Sequence, residues 1–142
     1  MTSPGVLRTA VTTAVLDVAD HERRVADRSA GAVVSFAGVV RDHDGGRRVT
    51  LLEYEAHPTA ESILTDVVAE IAGRPEVYGV AASHRVGRLE IGEVALVVAV
   101  STAHRAEAFR LCAHLVDEIK ARLPVWKHQV FADGDDEWVN CP

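Results

Sequence analysis

Lysine is nearly absent from this chain: the 142 residues contain two, Lys120 and Lys127, against 13 arginines. Cysteine is equally scarce. Cys112 and Cys141 lie far apart, which excludes a disulfide framework and a cysteine-built zinc site. Cys112 falls in an apolar helical pattern and reads as core, whereas Cys141, next to last, reads as exposed. No apolar run approaches the ~20 residues of a membrane span. Met1 to Ala10 lacks the apolar segment of a signal peptide, so the expected location is cytoplasmic. Net positive charge is missing as well. At −6 the chain is not a general nucleic-acid binder, which needs clustered cations to meet phosphates.

What is present is a globular balance, 48% hydrophobic and 25% charged. The length suits one domain over residues 1–142, large enough to bury roughly two thirds of the surface of its unfolded form.

Val11 to Asp17 reads as a short strand and Val18 to Arg28 as a short helix. Gly31 to Val40, small and β-branched, reads as a buried strand. The turn signal Asp42-His43-Asp44-Gly45-Gly46 joins it, as a hairpin, to an alternating strand over Arg48 to His57. After Pro58, apolar residues from Ala60 to Ala72 follow helical spacing, and Gly73 and Pro75 end the run. Val77 to Val86 and Val94 to Val100 are strands, the second apolar on both faces and therefore central. Ser101 or Thr102 is placed to cap a helix with the stripe Ala108, Leu111, Cys112, Leu115, Val116 and Ile119, which Pro124 stops. Val125 to Phe131 is a further strand, and Trp138-Val139 a short last one. Two long helices with six or seven strands make the class α+β.

Three places can carry chemistry. Ser101-Thr-Ala-His-Arg105 sets His104 and Arg105 at a helix N-terminus, where the unpaired amides already carry partial positive charge. A bound anion would reverse that conflict; otherwise the two side chains point to solvent or pair with an acid. Lys120 and Lys127 stand within eight residues, across a turn that can bring their amines together. An amine can give up its proton, which a guanidinium cannot. The alternative is that Lys120 complements the helix C-terminus while Lys127 is solvated. On the strand after Pro124, Val125, Lys127 and Gln129 share one face, with Trp126 and His128 on the other. Arg41 ends a strand beside the Gly-rich turn. The histidines show no metal-ligand spacing, so no metal is expected.

Sixteen residues separate His104 from Lys120 on one helix, roughly 24 Å. A compact site that uses both must take His104 and Arg105 from a second subunit.

In order and spacing, several segments resemble the catalytic subunits of molybdopterin synthase. They are Gly31-Ala-Val-Val-Ser-Phe-Ala-Gly-Val-Val-Arg41, Leu52-Glu-Tyr-Glu-Ala-His-Pro58, His84-Arg-Val-Gly-Arg-Leu-Glu-Ile-Gly92, Ser101-Thr-Ala-His-Arg105, Lys120-Ala-Arg-Leu-Pro-Val-Trp-Lys127 and Gly134-Asp-Asp-Glu-Trp-Val139. The resemblance implies an α/β-hammerhead-type fold with antiparallel and mixed sheets. It implies a homodimer that becomes a heterotetramer with a small ubiquitin-like sulfur carrier, whose C-terminal Gly-Gly thiocarboxylate enters the site. Sulfur would pass to cyclic pyranopterin monophosphate and build the molybdopterin dithiolene, with no metal or organic cofactor in the step. Lys120 and Lys127 would be the catalytic amines, with Lys120 the principal one. Both, with Arg41, His104, Arg105, His128 and Gln129, would bind substrate, and Phe36 would contact the carrier tail. The chain departs from the family pattern at Val39, His128 and Gln129. A non-catalytic scaffold for a ubiquitin-like partner and a phosphate-ligand-binding domain are the competing readings.

Overall fold

Two β-sheets meet along the middle of the molecule in the computed structural model, which describes residues 6–141. In chain order the elements are β1 (Val6–Thr12), α1 (Val18–Val25), β2 (Ala32–Val39), β3 (His43–Asp44), β4 (Arg47–Ala56) and α2 (Ala60–Ala72). They continue with β5 (Val77–Arg85), β6 (Gly87–Leu89), β7 (Val94–Thr102), α3 (Arg105–Arg122), β8 (Val125–Phe131) and β9 (Asp136–Cys141). The first sheet runs β1-β5-β7-β2, with only the β1–β5 pair parallel. The second runs β3-β4-β8-β9, and β6 also pairs with β4. The α+β class expected above is what forms.

The first sheet is covered on both faces. Val80, Ala82, Val98 and Val100 pack under α2 and α3 with Leu64, Val68, Leu111, Leu115 and Ile119. Alternate residues Ala81 and Ala99 turn the other way and meet Val25 of α1. Strand β7 is therefore buried on both faces, as its unbroken apolar run requires. Each fully buried Leu or Ile here contributes about 1.5–3 kcal/mol. Gly79 permits α1 to lie close: a Cβ there would come within 2.9 Å of the Val25 Cα.

Five expectations change. The first strand ends at Thr12 rather than Asp17, because the Asp17 carboxylate accepts the Asp20 N–H at 3.2 Å and caps α1. Strand β2 is an edge strand, only half-buried, with Val33 and Val39 exposed. The hairpin expected between it and β4 does not form: β2 pairs with β7, and β4 belongs to the other sheet. The Gly45-Gly46 turn serves only the two-residue β3, and both glycines have positive φ, as a tight hairpin turn demands. Neither Ser101 nor Thr102 caps α3. Strand β7 runs through both; Ser101 Oγ donates to the Val25 carbonyl and Thr102 Oγ1 to the His104 carbonyl, leaving His104 at the N-cap position. Finally, the described residues contain nine strands rather than six or seven, since β3 and β6 are too short to show alternation; the short helix expected from Val18 forms as α1. Cys112 is buried, as expected; the side chain of Cys141 lies outside what the structure describes.

Candidate active site

Where the two sheets and the end of α3 converge, a cavity of about 240 Å³ opens. Lys120 reaches it from the last turn of α3, and Lys127 from the third residue of β8. Pro124 makes this convergence possible by ending the helix, so that the chain reverses within three residues into β8. Strand alternation then turns Lys127 inward and His128 outward. Arg41, just past β2, and Tyr54 of β4 complete the polar wall. An adjoining recess of about 70 Å³ shares Arg41, Tyr54 and Lys127 and adds His43, Asp44 and Gln129.

Gln129 is 2% exposed. Its amide nitrogen donates to Asp44 Oδ2 at 2.7 Å and to Glu137 Oε1 at 3.0 Å. That bond, aided by Lys127 and Arg41, holds the Asp44 carboxyl below the usual carboxylate range. Arg41 Nη2 lies 3.8 Å from Asp44 Oδ1, so Asp44 restrains it from one side while its other donors remain available to a ligand.

His84, on β5, lines the same cavity and is 1% exposed. Its Nδ1 lies 2.8 Å from the Arg85 carbonyl oxygen. A carbonyl only accepts, so Nδ1 carries the hydrogen and Nε2 is a lone-pair acceptor. Burial pushes the imidazole down to about 4; the bond to Arg85 opposes this, and the Lys120 charge adds to it. The ring is neutral across the physiological range. A His with a depressed folded pKa makes the unfolded chain the stronger proton binder between the two values, so stability falls as pH drops from 6.5 towards 4. Between pH 7.5 and pH 5 the loss is expected to be about 2 kcal/mol, measured by urea denaturation. The same comparison on His84→Gln should show this loss removed.

Of the residues singled out in the sequence, Arg41, Lys120, Lys127 and Gln129 come together. His104 and Arg105 do not: both are exposed at the far end of α3, 18 residues long. His128 points away from the cavity, stacked on Trp138 with ring centroids 4.5 Å apart and bonded to Asp136 at 2.7 Å. Phe36 lines a separate groove between β2 and α3, with Phe109 and Val116. Its ring borders Gly38, which lines the lysine cavity. Sequence reasoning missed Tyr54, His84 and Asp44. Tyr54 was marked only by alternation with Leu52, and His84 only by being polar inside an apolar strand. Burial pushes the Cys112 thiol up to about 11, so it is no thiolate nucleophile. Among the described residues no cluster of three or more His, Cys, Asp or Glu could hold a metal ion, and no helix is long and apolar enough to cross a membrane.

The arrangement is a small cavity with three cationic side chains, one neutral acceptor and one phenol. It suits an anionic ligand whose reaction needs proton movement or charge stabilisation. The family model for the MoaE protein matches residues 11–122. The molybdopterin synthase catalytic subunit of Bacillus subtilis (strain 168) is 40% identical over 118 residues, covering 82% of this chain and 74% of that protein. The corresponding subunit of Nostoc sp. is 36% identical over 133 residues, 92% of this chain and 81% of that one. Among solved structures, molybdopterin synthase from Staphylococcus aureus superposes with a TM-score of 0.83 at 32% identity, covering 91% of this chain and 94% of that one. The complex of subunits 1 and 2 of molybdopterin-converting factor from Helicobacter pylori shares the fold, with a TM-score of 0.70 at 17% identity over 96% of this chain and 90% of that one.

Proposed function

The chain belongs to the family of molybdopterin synthase catalytic subunits, enzymes of molybdenum cofactor biosynthesis, and from that premise we propose how its cavity works. The substrate is cyclic pyranopterin monophosphate. The sulfur donor is the C-terminal Gly-Gly thiocarboxylate of a small ubiquitin-like carrier, a separate subunit that docks on this one. The Helicobacter pylori relative, described as a protein–protein complex of two subunits, supports such a partner. The observation that carries the proposal is the convergence of Lys120, Lys127 and Arg41 on one cavity.

Arg41 holds anionic oxygens of the substrate through charge-assisted hydrogen bonds. Lys120 stands at the carrier's terminal carbonyl as the principal catalytic amine, and Lys127 supports it by polarising the thiocarboxylate or the substrate. Gln129 acts from behind, fixing Asp44 against the two cations. His104 and Arg105 serve the cavity of the other protomer in a homodimer, which two carriers complete as a heterotetramer. Phe36, beside Gly38, contacts the carrier tail. Reconstitution tests the whole reading. The purified chain, mixed with thiocarboxylated carrier and cyclic pyranopterin monophosphate, should produce molybdopterin, read as its fluorescent oxidation product. Binding of the carrier without product would reduce the chain to a scaffold.

A further inference from the structure

We infer that His84 is a positioning residue of this site: its Nε2 offers the Lys120 amine a neutral hydrogen-bond acceptor inside the cavity and so sets the amine's aim and its readiness to exchange a proton. The inference rests on the reading of Lys120 as the catalytic amine.

Three observations carry it. First, His84 lines the lysine cavity although it comes from β5, in the middle of the first sheet, where alternation otherwise places small or apolar side chains. Second, its tautomer is imposed: the 2.8 Å contact of Nδ1 with the Arg85 carbonyl leaves Nε2 without a hydrogen. Third, its ring is clamped. It is 1% exposed and meets the Tyr54 ring edge-on, with centroids 4.9 Å apart and planes at 78°. A polar group buried this deeply carries a desolvation cost, and one held in a single tautomer and orientation beside a reactive cation is suited to aim it.

The electrostatic setting decides between an acceptor and a charged group. Lys120 from α3, Lys127 from β8 and Arg41 after β2 share the cavity wall with His84, and Tyr54 from β4 is its titratable ring neighbour. A fourth cation among these would be repelled. The ring stays neutral, first because of burial and further because of Lys120. It therefore takes no proton from Lys120; it receives a hydrogen bond. Because it favours the charged form of the amine, removing it should displace the pH profile of sulfur transfer to lower pH, whether the amine acts protonated or free.

His84→Gln and His84→Met separate this role from simple packing. The two side chains are nearly isosteric and both lose the imidazole, but only Gln keeps an acceptor near the Nε2 position. In the reconstituted synthase with its carrier, His84→Gln should keep kcat within about threefold of the unaltered chain, with an unmoved pH profile. His84→Met should lose about tenfold to thirtyfold in kcat, with little change in KM for either substrate and a profile displaced to lower pH. If Met at this position does not give folded protein, His84→Asn, which keeps a donor for the Arg85 carbonyl but has no distal acceptor, replaces it with the same expectations. Equal kcat in the acceptor and non-acceptor variants, or equal losses with unmoved profiles, would overturn the inference and leave His84 a packing residue. A fully active Lys120→Arg would instead remove the premise, and the two failures are distinguishable because they occur in different variants.

Discussion

Lys120→Arg is expected to lower molybdopterin formation by about 100-fold or more while leaving thermal stability within about 0.5 kcal/mol of the unaltered chain. The substitution keeps the positive charge in the last turn of α3, so the favourable interaction with the helix C-terminus survives. What it removes is a group that can give up a proton and a point charge small enough to sit at a carbonyl oxygen. The guanidinium is also bulkier, in a cavity of about 240 Å³ already shared with Lys127 and Arg41. Single-turnover assays with thiocarboxylated carrier measure the effect directly. Full activity in Lys120→Arg would show that charge alone is required and that Lys120 is no catalytic amine. Lys127→Arg should be milder, because Lys127 acts in support.

The second large effect concerns the far end of the same helix. Lys120→Ala and Arg105→Ala are each expected to be nearly inactive alone, yet mixtures of the two should regain activity. Arg105 and Lys120 stand 15 residues and roughly 22 Å apart along α3, so Arg105 cannot reach its own chain's lysine cavity. If Arg105 serves the cavity of a two-fold-related copy, a mixed dimer has one cavity with both defects and one with neither. Random re-assortment of equal amounts then leaves about a quarter of all cavities intact, and activity should return to roughly that fraction. A mixture no more active than its components would confine each cavity to a single chain and return His104 and Arg105 to the solvated surface.

How far such a site can be read from sequence depends on how local each signal is. Helices α2 and α3 were legible because one side of each faces the sheet, which writes a 3.6-residue period into the chain. Strand β7 was legible because burial on both faces leaves an unbroken apolar run. Its pairing with β2 was not: the partners are 55 to 70 residues apart, and the nearby Gly45-Gly46 turn offered a local hairpin that the tertiary structure uses only for β3. The cap of α3 was misplaced for a similar reason. Ser101 and Thr102 have the right chemistry for a cap, but their hydroxyls donate to the carbonyls of Val25 in α1 and of His104. The lysines were legible by rarity and by the helix–Pro–strand reversal that must bring them near each other. His84 and Tyr54 were not, because a lone histidine and a lone tyrosine in strands have no spacing to announce them. Their meaning comes from Lys120 of α3 and Lys127 of β8, which line the same cavity.

The cavity takes Arg41, Tyr54, His84, Lys120 and Lys127 from five separate stretches of chain. None of these stretches can place its side chain until both sheets exist, and the first sheet cannot exist until β7 is made. During synthesis β1 and β2 therefore emerge well before their partners, with apolar residues such as Val34 and Phe36 uncovered. Such long-range pairing slows folding and exposes the nascent chain to association with its neighbours. A substitution far from the cavity that merely delays the docking of β2 on β7 should thus lower the yield of active enzyme without altering the activity of the molecules that fold.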